Sequence, residues 1–167
     1  MNVPALYVIL ALVAVQRLAE TIYARRNTRA LLASGAVEIA PAQYPFFVAL
    51  HSAWLLSMLV LVPASAPVDW WLVAIYGLLQ GVRFWILATL KGRWTTRIVV
   101  LPDAPLVRSG PYRFMRHPNY ALVVAEIAVL PLAFDAYAIA ATFTVLNLVL
   151  LWWRIRTESA ALAALSG

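Results

Sequence analysis

Nine polar side chains sit inside stretches that are otherwise apolar, and their types suit acid–base and anion chemistry. The first stretch carries Gln16, Arg17 and Glu20, the second His51, the third Tyr76, Gln80 and Arg83, the fourth Glu126 and the fifth Asn147. Burying an ionisable group in hydrocarbon costs at least about 2.5–3.5 kcal/mol, so such residues face a cavity or a partner. An imidazole or carboxylate can take a proton, and a guanidinium can hold an oxyanion. Arg83, Glu126, Glu20 and His51 are therefore the candidate catalytic groups. His51 is the weakest of the four, because a lone intramembrane histidine is more often a hydrogen-bonded packing residue. Tyr76, Gln80 and Arg83 share one helix face, as do Asn119 with Glu126, and Asn147 with Arg154 and Glu158.

The elements that must position these groups follow from composition. Of 167 residues, 64% are hydrophobic and 12% charged, against about 45–50% and about 25% in soluble domains. One small soluble core could not hide so much apolar surface, and disorder is excluded by the same figures. With no cysteine there is no disulfide, thiolate nucleophile or cysteine metal site. Two histidines and no HExxH motif give no reason to expect a metal. The expected fold is an all-α integral membrane protein, a single domain over residues 1–167, with about five transmembrane helices near residues 3–22, 46–62, 70–90, 120–134 and 138–153. The last two form a helical hairpin around Phe134, Asp135 and Ala136. Gly77 and Gly81 read as a small-residue pair for close helix packing.

Charge sets an expected orientation. Arg25, Arg26 and Arg29 follow the first span, and basic residues from Lys91 to Arg116 follow the third. Arg154 and Arg156 follow the fifth, whereas the loops at 64–69 and 135 hold no Lys or Arg. The positive-inside rule places the N-terminus outside and the C-terminus in the cytoplasm, with the first span an anchor rather than a cleaved signal. The net charge of +6 then reflects cytoplasmic arginines, not nucleic-acid binding. On this topology the polar groups lie within roughly 10–20 Å of the cytoplasmic helix ends at 1.5 Å per residue. They form either a polar layer open to the cytoplasm or interhelical glue with snorkelling arginines.

Residues 91–119, KGRWTTRIVVLPDAPLVRSGPYRFMRHPN, are broken by prolines and by Gly92 and Gly110 but hold Val99, Val100, Leu101, Leu106 and Val107. That is too apolar for disorder and predicts an ordered cytoplasmic cap. Ser109–Tyr112 reads as a turn, and Pro118 suits the first turn of the fourth span. A helix N-terminus beside Arg113, Arg116 and His117 favours anions and hydroxyl-rich ligands. Binding of anionic lipid by a juxtamembrane basic cluster is the alternative.

The run Ser109-Gly110-Pro111-Tyr112-Arg113-Phe114-Met115-Arg116-His117-Pro118-Asn119-Tyr120, then an apolar hairpin and Arg154-Ile155-Arg156-Thr157-Glu158, resembles the isoprenylcysteine carboxyl methyltransferase superfamily. The likeness is strongest over residues 91–165, and Arg25-Arg26-Asn27-Thr28-Arg29 looks like its short bacterial branch. The resemblance implies S-adenosylmethionine as cofactor, held on the cytoplasmic side. Arg116, His117, Pro118, Asn119, Tyr120, Arg154 and Glu158 would line its site within the cap and the C-terminal segment 120–165. It implies methyl transfer to a phenol, enol or carboxylate oxygen of a long-chain lipophilic acceptor, such as an alkylresorcinol, an alkylpyrone or an isoprenylcysteine-like compound. The expected partners are that substrate and membrane lipids, and the expected location is the inner (plasma) membrane. Two departures stand out: Ser159 follows Glu158 where many relatives have a second acid, and Ala121, Leu122 and Val123 follow Tyr120 where many have a glycine. A membrane reductase on a related scaffold and a non-catalytic lipid-binding protein are the rival readings.

Overall fold

The computed structural model describes residues 4–102, 104–105 and 107–165, with side chains as far as residue 161. Residue 3 of the first expected span and Leu106 of the expected cap lie outside the described residues. Among the described residues, one small ladder is the only β structure. Five helices, α1 (Ala5–Ala33), α2 (Tyr44–Leu61), α3 (Trp70–Leu90), α4 (Pro118–Leu132) and α5 (Tyr137–Leu165), account for most of it. Four of them are long and apolar enough to cross a bilayer. α4, with 15 residues, reaches about 22 Å at 1.5 Å per residue and packs between α3 and α5.

Local chemistry explains the helix ends. Pro45 and Pro118 stand in the first turns of α2 and α4, where a missing N–H costs nothing. Asp69 Oδ1 accepts from the backbone N–H groups of Trp71 and Leu72 at 2.9 and 3.2 Å and caps α3. The Asp69 N–H donates to the Ala133 carbonyl at 2.9 Å, tying this cap to the α4–α5 turn. That turn is the expected one, with Asp135 at φ 55°.

Two long helices depart from the expected boundaries. α1 does not stop at residue 22: Arg25, Arg26 and Arg29 continue its helix rather than forming a loop. α5 runs on beyond residue 153, so Arg154 and Glu158 are helical too. The departure from all-α is a short ladder of β1 (Val37–Ile39) with β2 (Ile98–Val100), antiparallel and pairing Val37 with Val100 and Ile39 with Ile98. Arg97 pairs with Glu38 at 2.6 Å and lies over the Tyr44 ring, fastening the ladder to α2. The part of the cap that is described is therefore ordered, as its apolar content predicts.

The side-chain distribution suits a lipid solvent. Large apolar residues such as Leu12, Val60, Leu78 and Phe84 are exposed, while Glu20, Arg83, Glu126 and Asn147 are buried. The core toward the α4–α5 turn joins Leu6, Leu10, Trp54, Met58, Ile127 and Leu130. A second, smaller core joins Ala24, Ile86, Trp94 and Leu122 near the ladder. Gly77 and Gly81 do not act as expected: a Cβ on either meets nothing within 4 Å, so no described helix packs on them.

Gly110 is required by geometry instead. Its φ is +55°, and a Cβ there would sit 2.3 Å from Thr89 Oγ1, an atom held by its own bond to the Trp85 carbonyl at 2.8 Å. Gly110→Ala is expected to lower stability in detergent by about 1–3 kcal/mol, with Thr89→Ala recovering only the part due to the clash. Thermal unfolding of the single and double variants checks this; a single variant as stable as the parent would contradict it.

Candidate functional site

Three groups of residues stand between the ladder end of the bundle and its middle. Arg83, Glu126 and His51 lie seven or eight residues from the ladder ends of α3, α4 and α2, which is about 10–12 Å of rise.

The first group is a charge network. Arg83 Nε donates to Glu126 Oε1 at 2.9 Å, Arg83 Nη2 pairs with Glu126 Oε2, and Arg83 Nη1 reaches Glu20 at 3.1 Å. Arg17 donates to Glu126 at 2.7 Å and to Glu20 at 3.1 Å. Gln80 donates to Glu126 Oε1 at 3.0 Å, and Gln16 donates to Gln80 at 2.7 Å and Glu20 at 2.9 Å. The expected polar layer is joined by contacts among α1, α3 and α4 only; His51 of α2 and Asn147 of α5, also expected in it, make no described hydrogen bond to this network. Two guanidinium and two carboxylate groups neutralise one another. Both oxygens of Glu126 accept from arginine, which makes it an anchor for cations more than a free proton acceptor. Tyr76 Oη, Arg17 Nε, and both polar atoms of Asn147 are buried without a hydrogen-bond partner.

The second group lies at the N-terminus of α4. His117 stacks on Tyr120 with ring centroids 4.9 Å apart and planes 7° from parallel. The Tyr120 hydroxyl donates to Glu158 Oε2 at 2.7 Å and accepts from Arg154 Nε at 2.9 Å. Arg154 also donates to the Thr96 carbonyl at 3.1 Å and lies over the Phe47 ring at 5.2 Å. Four of the expected cofactor residues are therefore brought together. Pro118 is buried in the first helical turn. Asn119 Oδ1 is buried with no partner. Arg116 is exposed, and no described contact joins it to the cluster. Burial, with the charge of Glu158, pushes the Tyr112 phenol up to about 12, so it stays a hydrogen-bond donor at neutral pH.

His51 stands apart from both. Its Nδ1 lies 2.8 Å from the Phe47 carbonyl. A carbonyl only accepts, so Nδ1 carries the proton and Nε2 of the neutral ring holds the lone pair. Sequence reasoning passed over Phe47, Thr96 and Tyr112. Thr96 acts through its backbone and leaves no side-chain signal, whereas Phe47, one turn before His51, and Tyr112, inside the GPYR run, were visible.

A model of the isoprenylcysteine carboxyl methyltransferase (ICMT) family matches residues 72–164, which contain most of α3, the second cluster and most of α5. The chain belongs to this family. It is thus a membrane protein of a methyltransferase family. It is similar to the Bacillus subtilis protein YpbQ, itself uncharacterized, at 40% identity over 160 residues, 93% of this chain and 95% of that protein. An uncharacterized Haemophilus influenzae protein is 34% identical over 83 residues, 49% of this chain and 48% of the relative. No solved structure matches.

The charge network makes a stability prediction. Glu126→Gln leaves a buried guanidinium without its counter-charge and is expected to cost about 3–5 kcal/mol. Adding Arg83→Met restores neutrality, with Arg17 still paired to Glu20, and is expected to recover part of that loss. Melting temperatures of the three proteins in one detergent test this, and a double variant less stable than the single would contradict it.

Proposed function

We propose that the protein is an S-adenosylmethionine-dependent O-methyltransferase of the inner membrane, acting on a long-chain lipophilic acceptor from the cytoplasmic side. The observation that carries this reading is the cluster of His117, Tyr120, Arg154 and Glu158 inside the segment that matches the family. The residues suit the cofactor. Glu158 Oε1 has no partner among the described residues, leaving a carboxylate oxygen for ribose hydroxyls or an amino group. Asn119 Oδ1 is a buried acceptor with nothing to accept from, a state that costs about 1–3 kcal/mol until a donor arrives. Pro118 fixes the first turn of α4, and the stack of His117 on Tyr120 offers an aromatic face.

When bound, the cofactor supplies a methyl group on a sulfonium, ready for in-line displacement. The protein's task is then positioning. Arg154 holds Tyr120, and Tyr120 holds Glu158, so three side chains from α4 and α5 form one rigid edge. The buried charge network fixes the depth at which α1, α3 and α4 meet. Apolar walls around it exclude water, which favours a reaction that destroys charge.

Incubating the purified protein with labelled S-adenosylmethionine and a lipid-soluble extract should place label on an oxygen of a long-chain compound. Glu158→Gln and Tyr120→Phe are each expected to weaken cofactor binding about tenfold or more, about 1.4 kcal/mol, while the protein still elutes as a folded species. Unchanged binding in both variants would defeat the assignment.

A further inference from the structure

Phe114 and Met115 interrupt a basic run with two apolar side chains that no core covers: Phe114 is 71% and Met115 49% exposed. Arg113 and Arg116 on either side are exposed as well. Among the described residues neither is paired with a carboxylate. The route of the chain explains the arrangement. Gly110 sits against Thr89, and four residues later the Phe114 ring meets the Trp85 ring edge-on, with centroids 6.5 Å apart. Thr89 and Trp85 are one turn apart on α3, so the chain descends about 6 Å along that helix, from its end toward the middle of the bundle. It then returns. Arg83 bonds Glu126; Lys91 lies two turns beyond Arg83, and Pro118 two turns before Glu126. The start of α4 is therefore level with the end of α3, and Phe114 and Met115 occupy the bottom of a shallow dip between them.

The dip lies on the outside of the bundle. Leu78, Val82 and Trp85 share one exposed face of α3, a helix long and apolar enough to cross a bilayer. Phe114 extends that face at its ladder end. An aromatic ring beside a tryptophan near a span's end suits the headgroup region, and arginine reaches from such a depth to the phosphates. Arg113 lies over the Phe114 ring at 5.2 Å, so charge and apolar surface are presented together.

We propose that Arg113, Phe114, Met115 and Arg116 form a membrane anchor: Phe114 and Met115 enter the headgroup region beside Trp85, and Arg113 and Arg116 bind the phosphates of anionic lipids. The occupant is lipid rather than an acidic protein because the apolar half of the surface continues the lipid-facing side of a span. Arg116 then has its partner in the membrane, not in the cofactor site that the resemblance implies.

The chain has no cysteine, so a fluorophore on Met115→Cys reports one position, in nanodiscs of phosphatidylcholine mixed with phosphatidylglycerol. Lipids carrying a nitroxide high on the acyl chain should quench it, and aqueous iodide should not. Ser34→Cys, about two turns beyond the level of Lys91 on α1, should show the opposite pattern. Iodide quenching at residue 115 as strong as at residue 34 would overturn the anchor. Nitroxide-labelled phosphatidylglycerol should quench more than the phosphatidylcholine analogue, each arginine contributing about a fivefold preference. Arg113→Gln with Arg116→Gln should remove that preference, and high salt should weaken it in the protein with both arginines intact. Equal quenching by the two lipids at low salt, or a preference indifferent to both changes, would overturn the anionic-lipid assignment. None of these readouts depends on the methyltransferase reading.

Discussion

Two arginines and two glutamates, buried among helices whose outer surfaces are apolar, set the constraint on which the rest of the structure depends. In a low-dielectric interior an unpaired charge is expensive and a misplaced one nearly as much. Arg17, Glu20, Arg83 and Glu126 can be buried together only if α1, α3 and α4 meet at one depth and one rotation. Gln16 and Gln80 supply further hydrogen bonds to the carboxylates. The arrangement is costly to build as mere packing, since apolar side chains of similar size would hold the helices at no electrostatic penalty. What it achieves is registry: the start of α4, where Tyr120 follows His117, is fixed relative to α1 and α3.

That registry produces a sequence of environments along one direction. Along α2, Leu55 and Leu59 line an apolar groove shared with α1, His51 follows one turn on, and Phe47 one turn further lies under Arg154, which holds Tyr120. The ladder of β1 and β2, clamped by Arg97 and Glu38, packs against Tyr44 at the start of α2. Asn27 on α1 donates to the carbonyls of Lys91 and Trp94.

Much of this was legible from residue types and spacing, because bilayer physics leaves few options. Apolar runs bounded by Pro45, Pro63 and Asp69 had to be helices, and ionisable residues within them had to find one another. Which partners they would choose was not legible. Arg17 and Arg83 both take Glu126, a choice that depends on helix rotation, to which spacing is blind. The ladder was missed because three-residue strands sixty residues apart carry no local periodicity. The loss of a loop after residue 22 reflects the helix propensity of an arginine-rich stretch, which continues α1 to Ala33. Gly77 and Gly81 misled in the other direction: their spacing suggested close packing, yet they face open space, whereas Gly110 carries the real steric requirement. Of the seven residues grouped on resemblance, His117, Tyr120, Arg154 and Glu158 contact one another, Pro118 and Asn119 lie beside them in the first turn of α4, and Arg116 is exposed.

The most direct measurement is ultraviolet cross-linking of methyl-labelled S-adenosylmethionine to the protein in lipid nanodiscs, followed by peptide mapping. The account predicts label confined to peptides containing Tyr112–Tyr120 or Arg154–Glu158, removed by excess unlabelled cofactor. Label that is not displaced, or that falls on the α1–α2 groove or the α4–α5 turn, would contradict it.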